Sequence, residues 1–248
     1  MPKHLHIILN GKGGVGKSFF ATNFVQYLKD RGVPHLAVDT DNENSTLKRF
    51  HPEVEFVNLA QVQEIDTIFA LLEKTELLVV DCRAASTDIF LDYFAEVGVF
   101  EILQALGAVL TIISPVNHEA DSVEQVKIVA EALGERARYL VVKNQAHSEQ
   151  FVIYDKSRTR SRVMSELGGS EVTMPKLYDW LVTALNQANL PITAALQHPD
   201  FSLVNRQRLK NWQVKFNQQL DGVRALLLPN ADKSAPKEKR KAQAATAG

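Results

Sequence analysis

The stretch Gly11-Lys12-Gly13-Gly14-Val15-Gly16-Lys17-Ser18 decides the fold. It fits the pattern G-x4-G-K-[ST]. Before it lies an apolar run, His4-Leu5-His6-Ile7-Ile8-Leu9, and after it Phe19 to Asp30, where Phe20, Phe24 and Leu28 recur one helical turn apart. Strand, glycine loop and helix in that order turn a pattern into a physical site. Glycines let successive backbone N–H groups converge on a phosphate, and the helix N-terminus adds a favourable potential for the anion. In such a loop the Lys17 ammonium reaches the β- and γ-phosphates, and the Ser18 hydroxyl ligates Mg2+. The sequence predicts a nucleotide-binding protein.

Outward from the loop, apolar runs alternate with helical segments. Strands are expected at His35–Val38, leading into Asp39-Thr40-Asp41, at Phe56-Val57, at Leu77–Val80 before Asp81, at Ala108–Ser114, ended by Pro115, and at Tyr139–Val142, leading into Lys143-Asn144. Helical periodicity covers Gln61–Glu73, Thr87–Leu106 with a bend near Gly98, and Glu119–Leu133. Repeated βαβ units predict an α/β fold, a mostly parallel twisted sheet flanked by helices. Further on, Lys156–Leu167 reads as a basic helix, Val172–Pro175 as a last short strand and Leu177–Asn186 as a helix. Phe201–Leu228 reads as one long helix with a stripe of Leu209, Trp212, Phe216, Leu220, Val223 and Leu227. Residues 1–228 are expected to form a single domain, and 229–248 a disordered basic tail.

Composition narrows the class. At 248 residues, 45% hydrophobic and 23% charged, the chain suits one large soluble domain. No apolar stretch reaches the ~18 residues of a membrane span. The first strand begins so early that no signal peptide is expected. A single cysteine, Cys82, excludes an internal disulfide and suits a reducing compartment, so the expected location is the cytoplasm. His4 and His6 alternate on the first strand without acidic or cysteine partners, so no metal site is expected there. Net charge is −1, unevenly spread: residues 1–150 carry 13 Lys and Arg against 21 Asp and Glu, residues 151–248 carry 15 against 8. Lys156, Arg158, Arg160 and Arg162, interleaved with Ser and Thr, read either as a DNA-phosphate patch or as an exposed helix face. The tail lysines Lys233, Lys237, Lys239 and Lys241, with Arg240, would add weak DNA affinity or only solubility. The tail lacks the apolar face of a membrane-binding helix.

Acids stand at the ends of two other strands, Asp39-Thr40-Asp41 and Asp81, where ligands bind in an open α/β sheet. With the extra lysine of Lys12-Gly13-Gly14-Val15-Gly16-Lys17-Ser18, the chain resembles the deviant Walker A ATPases of the ParA/MinD type. The resemblance runs over roughly residues 3–190 and takes in Ile113-Ser114-Pro115-Val116 and Asn144. Asn205-Arg206-Gln207-Arg208-Leu209-Lys210 and the overall layout are similar to the TraL and StbB-like ATPases of conjugative and mobilisable plasmids. The resemblance implies ATP and Mg2+ as ligands. It makes Lys12 a signature lysine that reaches the partner's ATP across a dimer, acting as an arginine finger does. It implies that Gly11, Gly13, Gly14, Val15, Gly16, Lys17, Ser18 and Phe19 hold the phosphates. Asp41 orients the attacking water, Asp39 and Asp81 lie with Ser18 at the metal, Asn144 reads the adenine edge and Pro175 borders the base.

Departures stand beside it. Phe19 replaces a usual Thr, Asn42-Glu43-Asn44 replaces Pro-Gln-Gly, and Cys82-Arg83-Ala84-Ala85 replaces a small or glycine-rich switch that could approach the γ-phosphate. Slow turnover is expected. The implied function is an ATP-dependent, dimerising switch in plasmid maintenance or transfer that works through a partner protein, with DNA bound directly or through that partner. Arg206, Arg208 and Lys210 flank the Trp212 stripe and would face such a partner. Two other classes fit the same scaffold: an enzyme phosphorylating or amidating a small acid, as dethiobiotin synthetase does, and a nucleotide-gated adaptor without turnover.

Overall fold

A computed structural model describes residues 2–229. The expected tail lies outside the described residues. Seven strands form one sheet: β1 Lys3–Ile8, β2 Leu36–Asp39, β3 Glu55–Phe56, β4 Leu77–Asp81, β5 Ala108–Val116, β6 Arg138–Asn144 and β7 Ser170–Met174. Their order is β3-β2-β4-β1-β5-β6-β7, and every pairing is parallel. The central strands are buried on both faces, which is why their sequences are continuous apolar runs.

The helices, in chain order, are α1 Lys17–Asp30, α2 Thr46–Phe50, α3 Val62–Lys74, α4 Thr87–Val97, α5 Val99–Ala105, α6 Ala120–Leu133, α7 Val152–Asp155, α8 Arg158–Ser161, α9 Asp179–Ala188, α10 Ile192–Ala195, α11 Leu203–Gly222 and α12 Arg224–Leu227. Alternation along β1 assigns them to two layers. Leu5, Ile7 and Leu9 pack with side chains of α3, α4 and α6, whereas Ile8 packs with α1, α9 and α11. Phe20, Phe24 and Leu28 of α1 are fully buried, each contributing roughly 1.5–3 kcal/mol of transfer free energy. Because β4 and β5 flank β1, the chain runs outward to either side of it, and the crevice opens at the C-terminal ends of these three strands.

Three expected elements differ. β5 continues through Pro115 to Val116. The β1 ladder has already ended at Ile8 opposite Ile113, so no neighbouring strand needs the missing N–H. Lys156–Leu167 is not one α-helix: α8 is followed by a π-helical turn over Arg162–Glu166. The long C-terminal helix stops at Gly222, and Val223 turns the chain into α12. That turn brings the Leu227 carbonyl to His6 Nε2, 2.9 Å away, and leaves the predicted stripe of Leu209, Trp212, Phe216 and Leu220 buried. The bend near Gly98 is present, with α4 and α5 meeting at φ +64°.

Candidate functional site

The loop after β1 turns on glycines. Gly14 and Gly16 have φ of +75° and +96°, a region open to glycine and strained for other residues. A Cβ on Gly16 would stand 2.4 Å from Asn144 Nδ2, so space and backbone both demand glycine there. Asn10 braces the entry: its amide donates to the Pro115 and Ser122 carbonyls, and its Oδ1 accepts from the Lys12 N–H. Gln125 on α6 holds Gly11, accepting from its N–H and from the Thr87 hydroxyl. Neither Asn10 nor Gln125 stood out in the sequence, although Asn10 directly precedes the glycines.

A cavity of about 540 Å3 opens over this loop. Of the residues expected at the site, Gly13, Gly14, Gly16, Lys17, Ser18, Phe19, Asp41, Asn144 and Pro175 line it. Gly11, Lys12, Val15, Asp39 and Asp81 do not. Lys17 is buried, and its ammonium donates to the Asn10 and Lys12 carbonyls at 2.7 and 3.0 Å. Burial lowers its pKa, opposed by the Asp81 carboxylate.

Asp81 is 1% exposed, and neither carboxylate oxygen has a hydrogen-bond partner among the described residues. Burial and then the nearby Asp39 carboxylate push its pKa up to about 8, while Ser18 and the Lys17 ammonium pull the other way. A buried carboxylate left this way is costly unless a ligand repays it. Asp39 is differently placed, with Oδ1 accepting from the Asp41 N–H and Oδ2 from the Lys48 N–H. It positions the β2 loop and α2. Asp41 caps the turn after it, accepting from the Glu43 and Asn44 N–H groups while facing the cavity.

Asn144 is braced on both sides, donating to the Val15 carbonyl and accepting from the Ala146 N–H. Pro175 accepts from Trp212 Nε1 at 2.7 Å, and Phe19 packs edge-on against the same indole at 5.4 Å. The position without the usual Thr therefore ties the loop to α11. Lys12 lies at the rim, paired with Asp121 at 3.0 Å and Glu119 at 3.2 Å; these acids raise its pKa, Asp121 first. The Lys156–Arg162 patch is divided. Arg160 is held by Glu171 in two hydrogen bonds, while Lys156 and Arg158 are exposed. No group of residues suited to a metal ion is found around His4 and His6 among the described residues, and Cys82 is buried.

A glycine loop between a central strand and a helix, with a buried acid at the end of the neighbouring strand, defines a P-loop nucleotide-binding protein. The chain belongs to the CobQ/CobB/MinD/ParA nucleotide binding domain family (CbiA), whose model matches residues 6–172. It is 28% identical over 229 residues to Protein MobD of Acidithiobacillus ferrooxidans, covering 90% of this chain and 99% of that one. It is 27% identical over 241 residues to Protein TraL of Escherichia coli, with the same coverage, in line with the TraL-like layout expected from the sequence. Among solved structures it is similar to the septum site-determining protein MinD of Pyrococcus horikoshii complexed with Mg-ADP (TM-score 0.52, 15% identity, 92% of this chain and 100% of that one). The MinD cell division protein of Aquifex aeolicus is comparable (TM-score 0.50, 16% identity, 89% and 97%). The fold is the parallel, helix-flanked sheet of MinD and ParA.

Proposed function

We propose that the protein is an ATP-dependent switch that binds ATP with Mg2+, hydrolyses it slowly, dimerises in the ATP form and acts through a partner protein in plasmid maintenance or transfer. The observation that carries this reading is Asp81, a buried carboxylate with both oxygens unpartnered, beside Ser18 and beneath a loop whose lysine is already aimed inward. These residues fit Mg2+ and a phosphate chain. Mg2+ held by Ser18 and Asp81 would neutralise charge on the β- and γ-oxygens. The loop N–H groups and Lys17 would bind the phosphates, and Asp41 at the cavity wall would orient the attacking water.

Lys12 supports the dimer. Exposed ion pairs such as those with Glu119 and Asp121 are weak, so they retain the lysine at the rim without locking it away from a second subunit. A partner surface finds support beside α11. Tyr178 and Trp180 are exposed and stacked at 4.3 Å, with the Arg208 guanidinium 5.7 Å from the tyrosine ring. Exposed aromatics joined to arginine are the composition of binding hot spots. DNA contact would fall to Lys156 and Arg158, with the tail basic residues as further candidates. The cytoplasm remains the expected location; among the described residues no helix is long and apolar enough to cross a membrane.

The cavity also gives a small-molecule enzyme one point in its favour, continuing past the loop to apolar Phe50, Leu185 and Ile192. Asp41→Ala separates turnover from a mere adaptor. Phosphate release in the variant is expected to fall at least tenfold, with nucleotide affinity changed less than threefold. Equal turnover in variant and wild type would replace the switch with the adaptor.

A further inference from the structure

Arg83 has no role in anything derived so far. It follows Asp81 by two residues and lines the same cavity as Gly13, Gly14, Lys17 and Asp41. Its side chain has no ion pair or hydrogen bond among the described residues, and its Nε is buried. Half-buried guanidinium groups are normally paired, because removing that charge from water is costly. A lone guanidinium at the wall of a cavity that opens over a glycine loop is an anion-binding group awaiting its anion.

The backbone holds it there under strain. Ala85 adopts φ +56°, left-handed for a residue with a Cβ, at a cost on the order of 1 kcal/mol. Three bonds over-determine the turn: the Ala85 N–H donates to the Gly11 carbonyl at 2.9 Å, the Arg83 N–H to Thr40 Oγ1 at 3.0 Å, and the Ser86 hydroxyl to the Arg83 carbonyl at 2.8 Å. Ala84 Cβ lies 3.7 Å from where a Cβ on Gly13 would stand. The turn is stitched to the glycine loop on one side and to the β2 loop on the other, with Arg83 between them. Of the two loop lysines, Lys17 is buried against the Asn10 and Lys12 carbonyls and Lys12 is turned outward to Glu119 and Asp121.

We propose that Arg83 binds the terminal phosphate of a nucleoside triphosphate from within the same subunit and so makes the protein discriminate triphosphate from diphosphate. This rests on the nucleotide-binding reading and deepens it. The bidentate fork suits a terminal phosphate with its extra negative charge, and a diphosphate ends one phosphate short of the added partner. Where a glycine-rich switch would approach the γ-phosphate through backbone, this chain uses a charged side chain.

The test is calorimetric titration of full-length wild type, Arg83→Ala and Arg83→Lys with Mg-ADP and with a non-hydrolysable ATP analogue, thermal melting confirming that each variant folds. Arg83→Ala is expected to lose roughly 10–100-fold in affinity for the analogue while ADP affinity changes less than threefold. Arg83→Lys should recover part of the loss, since it keeps charge without the fork. Equal losses for both nucleotides would make Arg83 a structural brace and overturn the assignment. An Arg83→Ala variant indistinguishable from wild type on both would also overturn it, leaving nucleotide binding intact. Wild type that binds neither nucleotide would instead overturn the nucleotide reading itself.

Discussion

Lys17→Ala is expected to weaken nucleotide binding by at least 100-fold, measured by titration with a fluorescent ATP analogue. The ammonium sits at the floor of the cavity, 7% exposed, held by two loop carbonyls next to an acid whose oxygens have no other partner. A charge-assisted contact to a phosphate is worth roughly 1.5–3 kcal/mol, more where water is excluded. Removal also strips the phosphate loop of its buried cation, leaving the phosphate charge unneutralised where water is scarce. An affinity within threefold of wild type would mean that the phosphates bind elsewhere.

Lowering the pH from 7.5 to 5 should destabilise the protein without unfolding it. Burial lowers the pKa of His6 to about 3 and of His4 and His51 to about 4, Arg138 adding to the shift at His4. Local bonding explains why they stay neutral. His51 Nε2 donates to the Thr22 carbonyl while Nδ1 accepts from Lys29, and His6 Nε2 donates to the Leu227 carbonyl while Nδ1 has no partner. Below about pH 6.5 the unfolded chain takes up protons that the folded chain refuses, so stability falls as pH falls toward the folded values. Each histidine costs about 2 kcal/mol between pH 7.5 and 5. Asp81 acts oppositely: raised to about 8 in the fold, it holds a proton across this range that the unfolded chain lacks, returning about 3 kcal/mol. For these four groups together the loss is about 3 kcal/mol, a large share of a typical domain's stability. Urea unfolding at pH 7.5 and 5 should show it as a lower midpoint at an unchanged slope. His6→Gln, which keeps a donor for Leu227, should remove about 2 kcal/mol of the difference. Equal midpoints at the two pH values would contradict the neutral buried histidines.

The fold was legible because its signals are local. A run such as Leu77–Val80 is buried on both faces and has no polar alternation to misread, and Phe20, Phe24 and Leu28 mark the face of α1 without knowledge of its neighbours. Where local signals failed, distant contacts or exact backbone geometry decided. Pro115 ends a strand only if a neighbour needs its N–H, and β1 has already ended there. Val223 turns α11 into α12, beside the carbonyl that meets His6 more than 200 residues away in the chain.

The site divides in the same manner. The glycines and Lys17 could be placed from the chain because the loop is built of consecutive residues. The pairing of Lys12 with Glu119 and Asp121 spans more than 100 residues and leaves no local trace. Arg83 read as a departure from pattern because its position depends on a positive φ at Ala85, which an alanine does not advertise. Asp39 and Asp81 look alike in sequence, each closing an apolar strand. One is satisfied by backbone N–H groups and the other is not, a difference set by the loops that follow them.

The central claim is that ATP, acting through Lys12, brings two copies together. It is tested most directly by the mass in solution, by light scattering on a sizing column, with Mg-ADP and with a non-hydrolysable ATP analogue, for wild type and Lys12→Ala. The expected result is a dimer for wild type with the analogue only, and a monomer for Lys12→Ala in both. A nucleotide-bound wild type that stays monomeric with the analogue would contradict the switch and put the small-molecule enzyme in its place.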